Sequence, residues 1–138
     1  MGLILDSTIF IAAERREQTV VMTLERLARR FKDVDVALSA VTAAELVHGV
    51  WRALDVRTRA RRESFVEEIL ARVPTRPFSL AVARIAGRID AESRRKGTTI
   101  PTADLWIGAT ALEMEFAVAT GNLRHFRLLP GLRVRVVR

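Results

Sequence analysis

The sequence predicts an α/β fold, a three-layer α/β/α sandwich around a mainly parallel sheet of roughly five strands. Three observations lead there. Short, wholly apolar runs (Leu3-Ile4-Leu5, Val36-Ala37-Leu38, Ala117-Val118-Ala119) lack the in–out alternation of half-solvated strands, so they read as strands buried on both faces. Segments with apolar residues at helical spacing lie between most of them, and strand–helix alternation is the pattern of parallel sheets. Acidic residues stand just past these strands or at helix starts, where open α/β sheets bind ligands. Residues 1–138 read as one domain, long enough to bury a core without staples.

The elements follow in order. Asp6 stands at the carboxyl end of the first strand, either as a site residue or as the cap of a helix over Ser7 to Ala13. Val20, Leu24, Leu27, Ala28 and Phe31 predict an amphipathic helix over about 19–32. Asp33 and Asp35 mark the turn into the second strand, which ends at Ser39. Thr42-Ala43-Ala44-Glu45 has the form of a capping box, with Thr42 as cap and Glu45 at the third helical position. The competing reading puts Glu45 just past the second strand, near Asp6. Residues about 43–72 form two helices joined near Leu54-Asp55. Arg52, Arg57, Arg59, Arg61 and Arg62 crowd that junction, as a phosphate-contacting cluster or as an ordinary solvated face. Trp51 beside them reads as a packing or interface residue.

Pro74 and Pro77 bracket a loop, and Phe78 borders a third strand. Ser79 caps a helix with Val82, Ile85, Ala86 and Ile89 on one face, and Arg94-Arg95-Lys96-Gly97 stops it. Asp90 and Arg94 are spaced for a surface pair. Thr102 is expected to cap a helix beginning at Ala103, with Asp104 in its first turn, where an acid also suits the helix dipole. Leu105, Ala109, Leu112 and Phe116 line one side of that helix. The fourth strand ends at Thr120-Gly121-Asn122, Arg124-His125-Phe126 starts a turn, and Val134, Val136 and Val137 form a last, edge strand.

Composition narrows the chemistry. The chain has no Cys, which excludes disulfides, thiolate metal sites and cysteine nucleophiles. His48 and His125 are its only imidazoles, so a metal here is held mainly by oxygen, which points to Mg²⁺ or Mn²⁺. Twenty-three basic residues against 16 acidic give a net charge of +7, which suits a polyanionic partner or simply an Arg-rich surface. No apolar run is long enough to span a bilayer, and the one at Leu3 has no basic region before it, so it does not read as a signal peptide. The expected compartment is the cytoplasm, with no membrane partner.

The topology brings Asp6, Glu45, Asp104 and Asn122 to one edge of the sheet. Carboxylates gathered about 4 Å apart cost roughly 4 kcal/mol per pair at an effective dielectric near 20. A bound divalent ion is the simplest compensation. Mg²⁺ takes one or two carboxylates directly and keeps several waters. A metal-bound water attacks phosphodiesters without any Ser, Cys or His nucleophile.

Four stretches together carry a family resemblance: Leu3-Ile4-Leu5-Asp6-Ser7-Thr8, Val41-Thr42-Ala43-Ala44-Glu45-Leu46, Asp104-Leu105-Trp106-Ile107-Gly108-Ala109-Thr110-Ala111 and Ala119-Thr120-Gly121-Asn122-Leu123-Arg124-His125-Phe126. In order and spacing the chain resembles the PIN-domain ribonucleases, and most nearly the VapC toxins of bacterial toxin–antitoxin pairs. The resemblance implies a Mg²⁺- or Mn²⁺-dependent endoribonuclease. It makes Asp6 and Asp104 the principal metal-binding aspartates and Glu45 the other core acid. Asn122 stands where the family often has a fourth acid, and His125 where an Asp is also common. Asn brings no charge, which weakens the case for a second tightly held ion. Ser7, Thr120 and His125 are candidates for positioning water or substrate. The resemblance further implies an RNA substrate, a homodimer, and inhibition by a cognate VapB-type antitoxin whose basic tail fills the acidic cleft.

Two other readings compete. A catalytically silent RNA- or partner-binding module of the same fold would use the Arg cluster and explain Asn122. A phosphoacceptor domain with Asp6 as nucleophile would want a second Asp where Thr8 stands.

Overall fold

The computed structural model describes residues 1–138. Five strands, β1 (Gly2–Leu5), β2 (Asp35–Ser39), β3 (Thr75–Arg76), β4 (Ala117–Thr120) and β5 (Val134–Val136), form one sheet in the order β3-β2-β1-β4-β5. All four pairings are parallel. Helices α1 (Ser7–Arg15) and α2 (Val20–Arg30) connect β1 to β2. α3 (Ala40–Trp51) and α4 (Val56–Arg72) connect β2 to β3, and α5 (Leu80–Arg95) and α6 (Thr102–Met114) connect β3 to β4. A single 3-10 turn, Phe126–Leu128, precedes β5.

β1 lies at the centre, with Ile4 in register with Ala37 of β2 and Val118 of β4. Its side chains alternate between the two faces. Leu3 and Leu5 join Ile9, Phe10, Leu27 and Ile69 in one core cluster. Ile4 packs in another with Ala37, Ile107 and Phe126. Both faces are covered, so every residue of β1 and β4 is buried and the strands read as unbroken apolar runs. A third cluster, built on Val82, Ile100, Leu105 and Leu129, joins α5 and α6. Parallel pairing leaves every strand's carboxyl end on one edge. β5 is the edge strand expected, Ser79 accepts from the Val82 N–H at 3.2 Å as the α5 cap, and Arg94 pairs with Asp90 at 3.0 Å.

Local expectations are corrected at several points. α1 runs to Arg15, two residues past Ala13. The Thr42–Glu45 capping box does not form. Ser39 caps α3, its Oγ accepting from the Thr42 N–H at 3.1 Å, so the helix starts a turn earlier and Thr42 is buried inside it. Ser39 is as good a cap as Thr42 and is itself the last residue of β2, which lets the helix begin without an intervening loop. β3 pairs at Thr75–Arg76 rather than at Phe78, because Pro77 has no N–H to continue the ladder. Phe78 lies instead against Trp106, ring centroids 4.9 Å apart. Thr102 does not cap α6. Pro101 holds the cap position, and its carbonyl accepts from the Leu105 N–H at 2.9 Å.

Candidate active site

Asp6 is placed by the sheet. Its backbone N–H donates to the Ala119 carbonyl at 2.9 Å, one step beyond the last residue of β1. It occupies the N-cap position of α1, yet its carboxylate caps nothing. The side chain is buried, at 5% exposure, and Oδ2 accepts two hydroxyl protons, from Thr8 Oγ1 and Thr120 Oγ1, each at 2.8 Å. Those hydroxyls are themselves oriented. Thr8 Oγ1 accepts from the Gly121 N–H at 2.9 Å and Thr120 Oγ1 from the Asn122 N–H at 3.0 Å, which leaves their protons for Asp6. The helix-cap reading of Asp6 therefore gives way. Oδ1 receives no protein donor.

Glu45 sits in the second turn of α3, beyond the reach of a capping bond because Ser39 does that work. Its carboxyl pKa is pushed from 4.5 up to about 7, first by loss of solvation, then by the charges of Asp6 and Asp104. Asp104 lies in the first turn of α6, and its Oδ2 is 2.8 Å from His125 Nδ1. Burial pushes its carboxyl above the usual range; the His125 hydrogen bond opposes this and the Asp6 charge adds to it.

Asp6, Ser7, Glu45, Asp104, Asn122 and His125 line one pocket of about 130 Å³, with Thr8 and Phe126. Thr120 is wholly buried behind it and acts on it through Asp6. Asn122 spends its side-chain oxygen locally, accepting from the Arg124 N–H at 3.1 Å. Thr8 is the participant that sequence reasoning did not single out. The signal available was a hydroxyl two residues after Asp6, but its partner Gly121 lies 113 positions away.

No three acidic or imidazole groups close into a ready-made metal cage. What the pocket offers is a set of hard oxygens on separate elements, at least one (Asp6 Oδ1) unengaged, in a space with room for water. That donor set fits Mg²⁺ or Mn²⁺, which bind through one or two carboxylates and keep much of their hydration. It does not fit a soft metal.

A larger groove of about 670 Å³ shares Glu45 with this pocket and runs between α1, α3 and α4, lined by Phe10, Ile11, Leu46, Val50, Arg52 and Arg62 among others. Two of the five crowded arginines are engaged in structure there. Arg62 pairs with Glu14 at 3.4 Å and donates to the Gly49 carbonyl at 3.2 Å. Arg59 donates to the Ala53 carbonyl at 3.3 Å and lies over the Trp51 ring. Arg52, Arg57 and Arg61 remain exposed.

The family model for the PIN domain matches residues 3–131. The chain belongs to the PIN-domain family. Within it the chain falls among the VapC ribonucleases: Ribonuclease VapC10 of Mycobacterium tuberculosis is 34% identical over 131 residues, 95% of this chain and 90% of that protein. The tRNA(fMet)-specific endonuclease VapC of Salmonella typhimurium is 31% identical over 99 residues, 72% of this chain and 73% of the relative. Among solved structures, VapBC2 of Rickettsia felis, bound to a DNA fragment from its promoter, superposes with a TM-score of 0.86 over 100% of both chains. At 23% identity that likeness speaks for the PIN fold alone. No helix of this PIN domain is long and apolar enough to cross a membrane.

Proposed function

We propose that this PIN domain is a Mg²⁺- or Mn²⁺-dependent endoribonuclease, the toxin of a VapBC-type pair, acting on RNA in the cytoplasm. One observation carries the reading: acids from three separate elements, Asp6 after β1, Glu45 on α3 and Asp104 on α6, line a single pocket. Structural carboxylates are spread apart or paired with cations. Here two of the three, Glu45 and Asp104, have carboxyls raised first by loss of solvation and then by the charge of Asp6.

Asp6 and Asp104 are the residues assigned to hold the ion, with Glu45 as the third acid. When bound, the ion supplies an activated water and charge stabilisation at phosphorus. The chain's own parts are then distinct. Thr8 and Thr120 hold Asp6 in place through two donated hydrogen bonds. Glu45 completes the acidic set; its carboxyl is raised to about 7 in the metal-free chain, and a cation among the three acids would relieve the repulsion that contributes to that shift. Asn122 and Ser7 border the pocket where a ribose–phosphate backbone would lie. Exposed Arg52, at the end of α3, and Arg57 and Arg61, on α4, supply positive charge for the flanking phosphates.

The relatives support an RNA substrate. The Salmonella relative is a tRNA-specific endonuclease, so tRNA is the substrate to test first. The Rickettsia structure is a VapBC assembly, so a VapB-type antitoxin covering this cleft is part of the reading. A homodimer belongs to it as well, and sedimentation equilibrium tests that point.

The deciding experiment incubates purified protein with total tRNA in Mg²⁺ and maps the ends. Wild type cuts, while EDTA and Asp104→Ala each abolish cutting. Cutting that survives both EDTA and Asp6→Ala overturns the assignment. Salt-sensitive RNA binding without any cutting would favour the silent module, for which the uncharged Asn122 is the supporting residue.

A further inference from the structure

The two principal aspartates are held by the same device. Asp6 commits Oδ2 to the Thr8 and Thr120 hydroxyls. Asp104 commits Oδ2 to His125 Nδ1 at 2.8 Å. In each case the other oxygen has no protein donor. A carboxylate partner fixes the ring's tautomer, so Nδ1 carries the proton and donates. His125 has a firm base from which to do this. It directly precedes Phe126, which is 2% exposed and packs in the core cluster with Ile4, Ala37 and Ile107. The Leu128 N–H donates to the His125 carbonyl at 3.0 Å, closing the 3-10 turn over it.

We propose that His125 is a positioning residue for Asp104, rather than a substrate contact, and that it limits Asp104 to one oxygen for ligation. The inference rests on the metal reading above. A carboxylate tied through Oδ2 serves the near-octahedral demand of Mg²⁺ and Mn²⁺. An untied one is free to swing and to bind through both oxygens, as Ca²⁺, with its larger and looser shell, accepts. His125 on this account contributes both affinity for the small ion and discrimination against the large one. Partners that orient a metal ligand typically cost roughly 10–100-fold in metal affinity when removed.

Two substitutions separate the hydrogen bond from the bulk of the ring. In His125→Asn the amide nitrogen falls about where Nδ1 lies and still reaches Asp104. In His125→Gln it extends one bond farther, toward the Nε2 position, and does not. The side chain is 34% exposed, so neither change opens a core cavity. Mn²⁺ binding to the RNA-free protein is titrated by electron paramagnetic resonance, and Ca²⁺ is then added as competitor. The expected result is that wild type and His125→Asn agree within about threefold, while His125→Gln binds Mn²⁺ roughly 10–100-fold more weakly and yields it to a smaller relative excess of Ca²⁺. Wild-type affinity in His125→Gln overturns the proposal, and so does an equal loss in both variants. If wild type itself binds no Mn²⁺, the metal reading fails first and takes this inference with it.

Discussion

Glu45 is the residue whose removal should make the metal-free protein more stable. Its carboxyl is held near pH 7 in the folded chain against 4.5 as its ordinary value. The native state therefore keeps a proton that the unfolded state has already released. Stability from this group is complete below pH 4.5 and is lost as pH rises through about 7. At 1.36 kcal/mol per unit the full shift corresponds to about 3 kcal/mol. Glu45 still reaches water, so screening reduces this to about 1–2 kcal/mol. Glu45→Gln removes the ionisation while preserving the shape. Urea unfolding of chelator-treated wild type and variant at pH 5 and pH 8 measures the effect. Other groups also add to the pH dependence, Asp104 with its raised carboxyl among them, so the informative quantity is the difference of differences. Wild type should lose about 1–2 kcal/mol more than Glu45→Gln between the two pH values. Excess Mg²⁺ should narrow the gap at pH 8. Parallel losses in the two proteins would show that Asp6 and Asp104 do not press on Glu45, and the converged-acid argument would fail with them.

Three further outcomes are expected. Thr120→Val keeps the volume but removes a donor to Asp6 and strands the Asn122 N–H; unfolding free energy should fall by about 1–3 kcal/mol, and single-turnover cleavage should fall further than the loss of fold accounts for. Mg²⁺ at ten times its dissociation constant should stabilise the protein by about 1.4 kcal/mol, a rise in Tm of roughly 4–6 °C by calorimetry, and Asp104→Asn should abolish most of it. Arg57→Ala with Arg61→Ala should weaken tRNA binding and lower the salt-dependence slope by about two, leaving the Tm nearly unchanged because both side chains are exposed. An unchanged slope would return those arginines to the role of plain solvated surface.

The sheet was legible because parallel strands buried on both faces leave no polar residue in the run, as in Leu3-Ile4-Leu5 and Ala117-Val118-Ala119. The converging acids were legible for a related reason: strand ends in such a sheet share an edge, so a residue's place after a strand already says where it goes. What failed was local and competitive. Ser39 and Thr42 are both competent caps, and only the packing of α3 against the sheet chose between them. That choice is also what freed Glu45. The support beneath the site was out of reach for another reason. Thr120 to Asp6 spans 114 positions and His125 to Asp104 spans 21, and neither contact has a spacing that periodicity could reveal.

The sheet order, with β1 between β2 and β4, has a consequence for the protein's birth. Asp6 is made before Ala119 and Thr120, yet the carbonyl and the hydroxyl that anchor it belong to those two residues, 113 and 114 positions later. A growing chain therefore carries every acid before it carries a working pocket. A chain still lacking β4 has the acids without the frame that aligns them.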